Sequence, residues 1–206
     1  MQDEVKFSID EEQRDCYQEI SNVAMGQAAD LLARLLKVKV ILPIPQVNLI
    51  EVNELRMALT GVHKDDSVSG VCQGFIGDGI AGEALLIFND TSFSDISRLL
   101  NYQEAEVHSH ELEFLMDIAN ILVGAFLHGF GEQLDVGFMQ GHPSVLGQHV
   151  NLSELIQPNH YRWSKTLAVE ISYQIDGYNI NCDLLLLFTE DSIPVLNNKI
   201  NYLLED

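Results

Sequence analysis

Two stretches of the chain, 98 positions apart, carry the same pattern of chemically unrelated residues. That recurrence constrains the fold more than any other feature. "EISNVAMGQAA" runs from Glu19 to Ala29, and "DIANILVGAFL" from Asp117 to Leu127. Each reads acid-x-x-Asn-x-x-x-Gly: Glu19, Asn22 and Gly26 in the first, Asp117, Asn120 and Gly124 in the second. A proline follows each at the same interval, Pro45 and Pro143. Phe88 and Phe188 then differ by 100 positions and Val47 and Val150 by 103, which places a small insertion after Pro143. The offsets predict an internal duplication, with repeat one over about 8–102 and repeat two over about 108–206.

The order of predicted elements repeats as well. Residues 8–36 have helical apolar spacing, with Ile20, Val23, Ala24, Leu31 and Leu35 on one side. "SIDE" at Ser8–Glu11 has the form of a capping box. "VKVILPIP" reads as a strand, and "QVNLIEVNELRMAL" as a short helix. "VSGVCQGFIGDGIAGEALLIF" reads as two strands around a Gly-Asp-Gly turn, and "TSFSDISRLL" as a helix. The second half offers a helix over 109–135, then "VNLSEL" as an echo of "VNLIEV". The strands "TLAVEISYQI" and "YNINCDLLLLF" flank Asp176-Gly177, and "SIPVLNNKINYLL" forms a last helix. Two strands per half cannot cover their own sheet. The expected result is one pseudo-two-fold α+β domain, 1–206, with helices packed on a largely antiparallel sheet.

An α-helix brings i, i+3, i+4 and i+7 onto one stripe. Asp15, Glu19, Asn22, Gly26 and Ala29 therefore align on the first helix, and Glu113, Asp117, Asn120 and Gly124 on the second. The stripe is expected to face outward, away from Ile20, Val23 and Leu31. Each glycine costs about 1 kcal/mol of helix stability relative to alanine. Its return is a low spot where another backbone can approach.

The bulk numbers limit what such a surface meets. The 206 residues hold 11 Lys+Arg against 31 Asp+Glu, a formal charge of −20. Such a surface repels phosphate backbones and anionic lipid, which argues against nucleic acid and membrane as partners. No apolar run approaches the span of a bilayer, and "MQDEVKFSID" is no signal peptide. Cys16, Cys72 and Cys182 are few and scattered, as in a reducing compartment. A cytoplasmic location is expected.

The chain resembles the CheC/CheX/FliY phosphatases of bacterial chemotaxis, most closely the two-motif CheC type. Their motif is Asp or Ser, three residues, Glu, two residues, Asn, then twenty-two residues and Pro. Asp15, Glu19, Asn22 and Pro45 fit it in full, and Glu113, Asp117, Asn120 and Pro143 fit its spacing. The second copy departs in residue type, with Asp117 where the family has Glu and Glu113 where it has Asp or Ser.

The resemblance implies hydrolysis of the aspartyl-phosphate of a CheY-like response regulator. Asn22 and Asn120 would position the attacking water, and Glu19 and Asp117 would fix the regulator's lysine. No cofactor of the chain's own is implied; Mg²⁺ is expected on the regulator. The runner-up is a non-catalytic interaction module that binds a regulator, a flagellar-switch component or a CheD-like deamidase. With both motifs in one chain, a monomer is expected.

Other signals are weaker. "GDGIAG" at Gly77–Gly82 matches a dinucleotide-binding pattern, but sits between two strands and reads as a hairpin. His108, His110, His142, His149 and His160 lack the spacing of a metal site, so no metal is expected. "HKDD" at His63–Asp66 reads as a solvated loop.

Overall fold

The structure, a computed structural model, describes residues 8–51, 54–55, 67–99, 104–155 and 164–205. Helix α1 (Glu11–Leu36) begins at Asp10, whose carboxylate accepts from the Gln13 backbone N–H at 2.8 Å. The Gln13 side chain accepts in turn from the Asp10 N–H at 3.1 Å. The capping box is therefore Asp10/Gln13, two residues later than Ser8/Glu11. Gln13 decides the register, because its Nε2 also donates to Asn201 at 2.8 Å and ties the helix start to the last helix.

The remaining elements are β1 (Val40–Ile41), β2 (Gln46–Glu51), β3 (Ser67–Gly77), β4 (Ile80–Asn89), α2 (Ser92–Leu99) and α3 (Glu104–Leu134). They continue with β5 (Met139–Gln140), β6 (Ser144–Asn151), α4 (Leu152–Leu155), β7 (Lys165–Ile175), β8 (Asn181–Phe188) and α5 (Ser192–Glu205). "QVNLIE" is thus a strand and not the start of a helix. Val47 and Leu49 alternate with polar neighbours and stand opposite Val169 and Leu167 of β7. Residues 54–55 are helical; the rest of that expected helix, and "HKDD", lie outside the described residues.

All described strand pairs are antiparallel, in the order β1-β7-β8-β4-β3-β5, with β2 also on β7 and β6 also on β3. The pairing is pseudo-two-fold. β4 meets β8 at the centre, where Leu85 faces Leu185, with Gly82–Phe188 and Phe88–Cys182 on either side. The short strands of each half lie on the other half's hairpin: β1 and β2 on β7, β5 and β6 on β3.

The two central strands are mostly apolar, Glu83 and Asp183 being charged exceptions, because both faces of the sheet are covered. Leu86, Phe88, Leu184, Leu186 and Phe188 join the large core with α1, α3 and α5. Leu85, Ile87, Leu185 and Leu187 point the other way, into a smaller cluster with Leu152 and Leu155 of α4. The β3–β4 turn places Asp78 (φ 48°) and Gly79 (φ 80°) in the left-handed region, as a two-residue hairpin requires. "GDGIAG" is a hairpin.

Glu111–Leu134 of α3 is, by length and composition, apolar enough to cross a bilayer, against the expectation that no run was. Here it is a core helix, with Leu115, Ile118, Leu122, Phe126 and Phe130 buried while Asp117, Asn120 and His128 remain exposed.

Candidate functional site

The buried side of α1 is set by small residues. Tyr17, Ile20, Ser21, Ala24, Met25, Ala28, Ala29, Leu32 and Leu36 face inward. Val23, Leu31 and Leu35, expected on the core side, are 41%, 46% and 47% exposed. The reason lies in the neighbouring helix. α1 packs against α3, and a side chain at Gly129 would meet the Ala24 Cα at 3.0 Å. So close a crossing favours alanine and glycine over bulk.

The polar stripes come out as the spacing predicts, with one correction. Asp15, Glu19 and Asn22 are exposed on α1, and Glu113, Asp117 and Asn120 on α3. Ala29 is buried, so the first stripe ends at the half-buried Gly26. Gly26 has open space above it. Gly124 does not: a Cβ there would lie 2.8 Å from Gln140 Nε2, so Gln140 fills that low spot.

Each motif proline belongs to a segment tied back by a glutamine. Gln18 Nε2 donates to the Pro45 carbonyl at 3.0 Å, which links buried Pro45 to the residue beside Glu19. In the second half Gln73 Nε2 donates to the carbonyl of Gly141, two residues before the half-buried Pro143, at 2.8 Å. Gln73 also donates to Asn120 Oδ1 at 3.2 Å. The two copies therefore differ in wiring as well as in residue type. Four carboxylates and two carboxamides are thus displayed on paired helices. This surface suits a cationic side chain beside a hydrogen-bonding target.

Cysteine chemistry is disfavoured there. Burial, then the charge of Glu19, pushes the Cys16 thiol up. Burial and Glu83 push Cys72 up to about 12. Neither supplies a thiolate at neutral pH.

One polar cluster gives no signal in the sequence, because its members are far apart in the chain. His149 holds φ 54° where β6 slips register against β3, and its ring bridges two acids. Nδ1 lies 2.9 Å from Asp90 Oδ2 and Nε2 lies 3.0 Å from Glu111 Oε2. Ser67 and Ser69 hydroxyls also donate to Asp90, and Gln148 donates to Glu111. The bridge pins β6 to α3 at Glu111, six residues before Asp117.

Burial lowers the His149 imidazole pKa, but the hydrogen bonds and charges of Asp90 and Glu111 outweigh it and raise it above its usual value. A raised folded-state pKa stabilises fully below the unfolded value, about 6.5, and its contribution is lost as pH rises through the folded value. Asparagine tolerates the left-handed backbone here. His149→Asn is therefore expected to lower the urea midpoint more at about pH 5.5 than at about pH 8.5. An equal loss at both would show that the charged bridge adds nothing.

No protein-family model matches the sequence. Solved structures do. FliY of Thermotoga maritima superposes with a TM-score of 0.70 at 18% identity, over 94% of this chain and 98% of that one. The FliM middle domain of H. pylori gives 0.60 at 14% identity, over 93% and 99%. The CheX–CheY–BeF3–Mg²⁺ complex of Borrelia burgdorferi matches at 0.56 with 13% identity, over 83% and 96%. With helices on one curled antiparallel sheet, the chain has the fold of the CheC-like, CheX and FliY proteins.

Proposed function

We propose that the chain is a phosphatase acting on the aspartyl-phosphate of a CheY-like response regulator. The observation that carries this reading is the exposure of Glu19–Asn22 and Asp117–Asn120 on two helices packed together. A protein of similar fold occurs in complex with CheY, BeF3 and Mg²⁺, which supports a regulator as partner.

The chemistry suits these residue types. Aspartyl-phosphate is an acyl phosphate, and the regulator brings its own Mg²⁺ and lysine. What remains is to hold a water in line with the leaving oxygen. A carboxamide accepts from that water through Oδ1 and donates to a phosphoryl oxygen through Nδ2, without adding negative charge. Asn22 and Asn120 take this role. The water oxygen bonds to phosphorus, the P–O bond to the aspartyl carboxylate breaks, and the water's proton leaves with phosphate or bulk solvent. Glu19 and Asp117 pair with the regulator's lysine and fix the approach. Both helices come from one chain, which supports a monomer; light scattering at micromolar concentration checks it.

Asp117 is one methylene shorter than the glutamate of the family motif, about 1.5 Å less reach. Asp117→Glu is therefore expected to raise the rate of regulator dephosphorylation several-fold in a chain whose first site is silenced by Asn22→Ala. An unchanged rate would mean that reach does not limit the second site.

The second reading is an interaction module without catalysis, binding a regulator, a switch component or a CheD-like deamidase. The departure at Asp117 and the likeness to a FliM middle domain favour it. Decay of a phosphorylated CheY-like regulator, with and without the wild-type chain, separates the two. Acceleration supports the phosphatase; tight binding without acceleration supports the module.

A further inference from the structure

Gln73 sits near the middle of β3 and is fully buried, a carboxamide facing a largely apolar core. Its Nε2 lies 2.8 Å from the Gly141 carbonyl oxygen and 3.2 Å from Asn120 Oδ1, while its Oε1 is enclosed without a hydrogen-bond partner. A peptide carbonyl only accepts, so the atom facing Gly141 is the Gln73 nitrogen. That nitrogen has two hydrogens, and the second points at Asn120. The Asn120 atom it meets is therefore the oxygen, and Nδ2 is left as the free end of that carboxamide.

We propose that Gln73 is a positioning residue for Asn120, fixing which end of that carboxamide meets the water and which meets the phosphoryl group. The proposal rests on the phosphatase reading and deepens it. With one lone pair of Oδ1 engaged by Gln73, the other stays open to the attacking water, and both Nδ2 hydrogens stay open to phosphoryl oxygens. Such preorganisation removes the wrong orientation that an untethered amide also samples.

Stability does not explain a glutamine here, because a buried acceptor with no donor destabilises a fold. The position 98 residues after Gln73 is Ile171, buried on β7. Its side chain has no hydrogen to give Asn22. The orientation is thus built into one site and not its counterpart.

The test uses the full chain carrying Asn22→Ala and compares Gln73 with Gln73→Leu and with the longer Gln73→Met. The kcat for decay of a phosphorylated CheY-like regulator is expected to fall about tenfold, with KM within about twofold. The thermal midpoint is expected to hold or rise, because the enclosed Oε1 is gone. A structural role would move the midpoint down together with the rate, and that parallel loss overturns the proposal, as does an unchanged kcat. An amide NMR spectrum reads the same contact without any activity. The Asn120 side-chain NH2 signals, assigned by their loss in Asn120→Ala, are expected to become mobile by heteronuclear NOE in either Gln73 variant. Signals as ordered as in the parent would overturn the proposal. If the wild-type chain accelerates no regulator, the phosphatase reading has failed, and the NMR comparison still decides what Gln73 does.

Discussion

A chain carrying both Asn22→Ala and Asn120→Ala is expected to leave a phosphorylated regulator decaying at its own rate. Losing one well-placed hydrogen-bonding group of this kind costs about 10² to 10³ in rate. With both carboxamides gone, neither helix can hold the water. The single variants should divide the loss unequally. Asn22→Ala should cost more, because Glu19 reaches the partner's lysine more easily than Asp117 does. Stability should not follow activity. Asn22 is exposed in mid-helix, where alanine is the better helix former. Asn120→Ala gains the same propensity but leaves one Gln73 hydrogen without its acceptor, so its midpoint should move little. Stopped assays on the wild type, the two singles and the double decide the matter. Full activity in the double would remove both asparagines from the mechanism.

Phe188→Ala should destabilise the fold far more than any substitution on the exposed stripes. Phe188 ends β8, is wholly buried, and lies 5.3 Å from the Phe75 ring and 5.6 Å from the Phe130 ring. Those contacts join the centre of the sheet to α3. Truncating a buried phenylalanine costs about 3–5 kcal/mol, from lost burial and the cavity left behind. For a domain of this size that lowers the thermal midpoint by on the order of 10 °C. Tyr202→Ala, on the exposed end of α5, is the control and should stay within about 0.5 kcal/mol. A Phe188→Ala loss as small as the control's would mean that the ring cluster does not hold the sheet to the helix.

The parts of this fold written in local chemistry are legible in the sequence, and the parts that depend on distant partners are not. Asp78-Gly79 and Asp176-Gly177 mark both hairpins, because few residue pairs suit such turns. The motif stripes follow from helical spacing alone. Gln46–Glu51 misleads although Val47 and Leu49 alternate with polar residues; the helix-like residues after it mask a strand whose partner lies on β7. The inward face of α1 misleads because bulk is the usual sign of burial. At a tight helix crossing the sign is smallness, as Ala24 against Gly129 shows. Gln73 gives no signal. A glutamine in a strand looks solvated until the Asn120 and Gly141 it serves are brought beside it.

The exchange of edge strands between the halves has a consequence for how the chain is made. Gln46 pairs with Glu170, and Ser67 with Asn151, so neither hairpin finds its flanking strands within its own half. A ribosome emitting about 5–20 residues per second exposes β2 and the edge of β3 for on the order of ten seconds before their partners emerge. Loop closure over such separations is also slow, because its entropy is lost before the contacts that reward it can form. The chain thus passes through a vulnerable interval in which unpaired strands can recruit one another. A half-length fragment would remain there permanently and would satisfy its edges only by trading strands with a second copy.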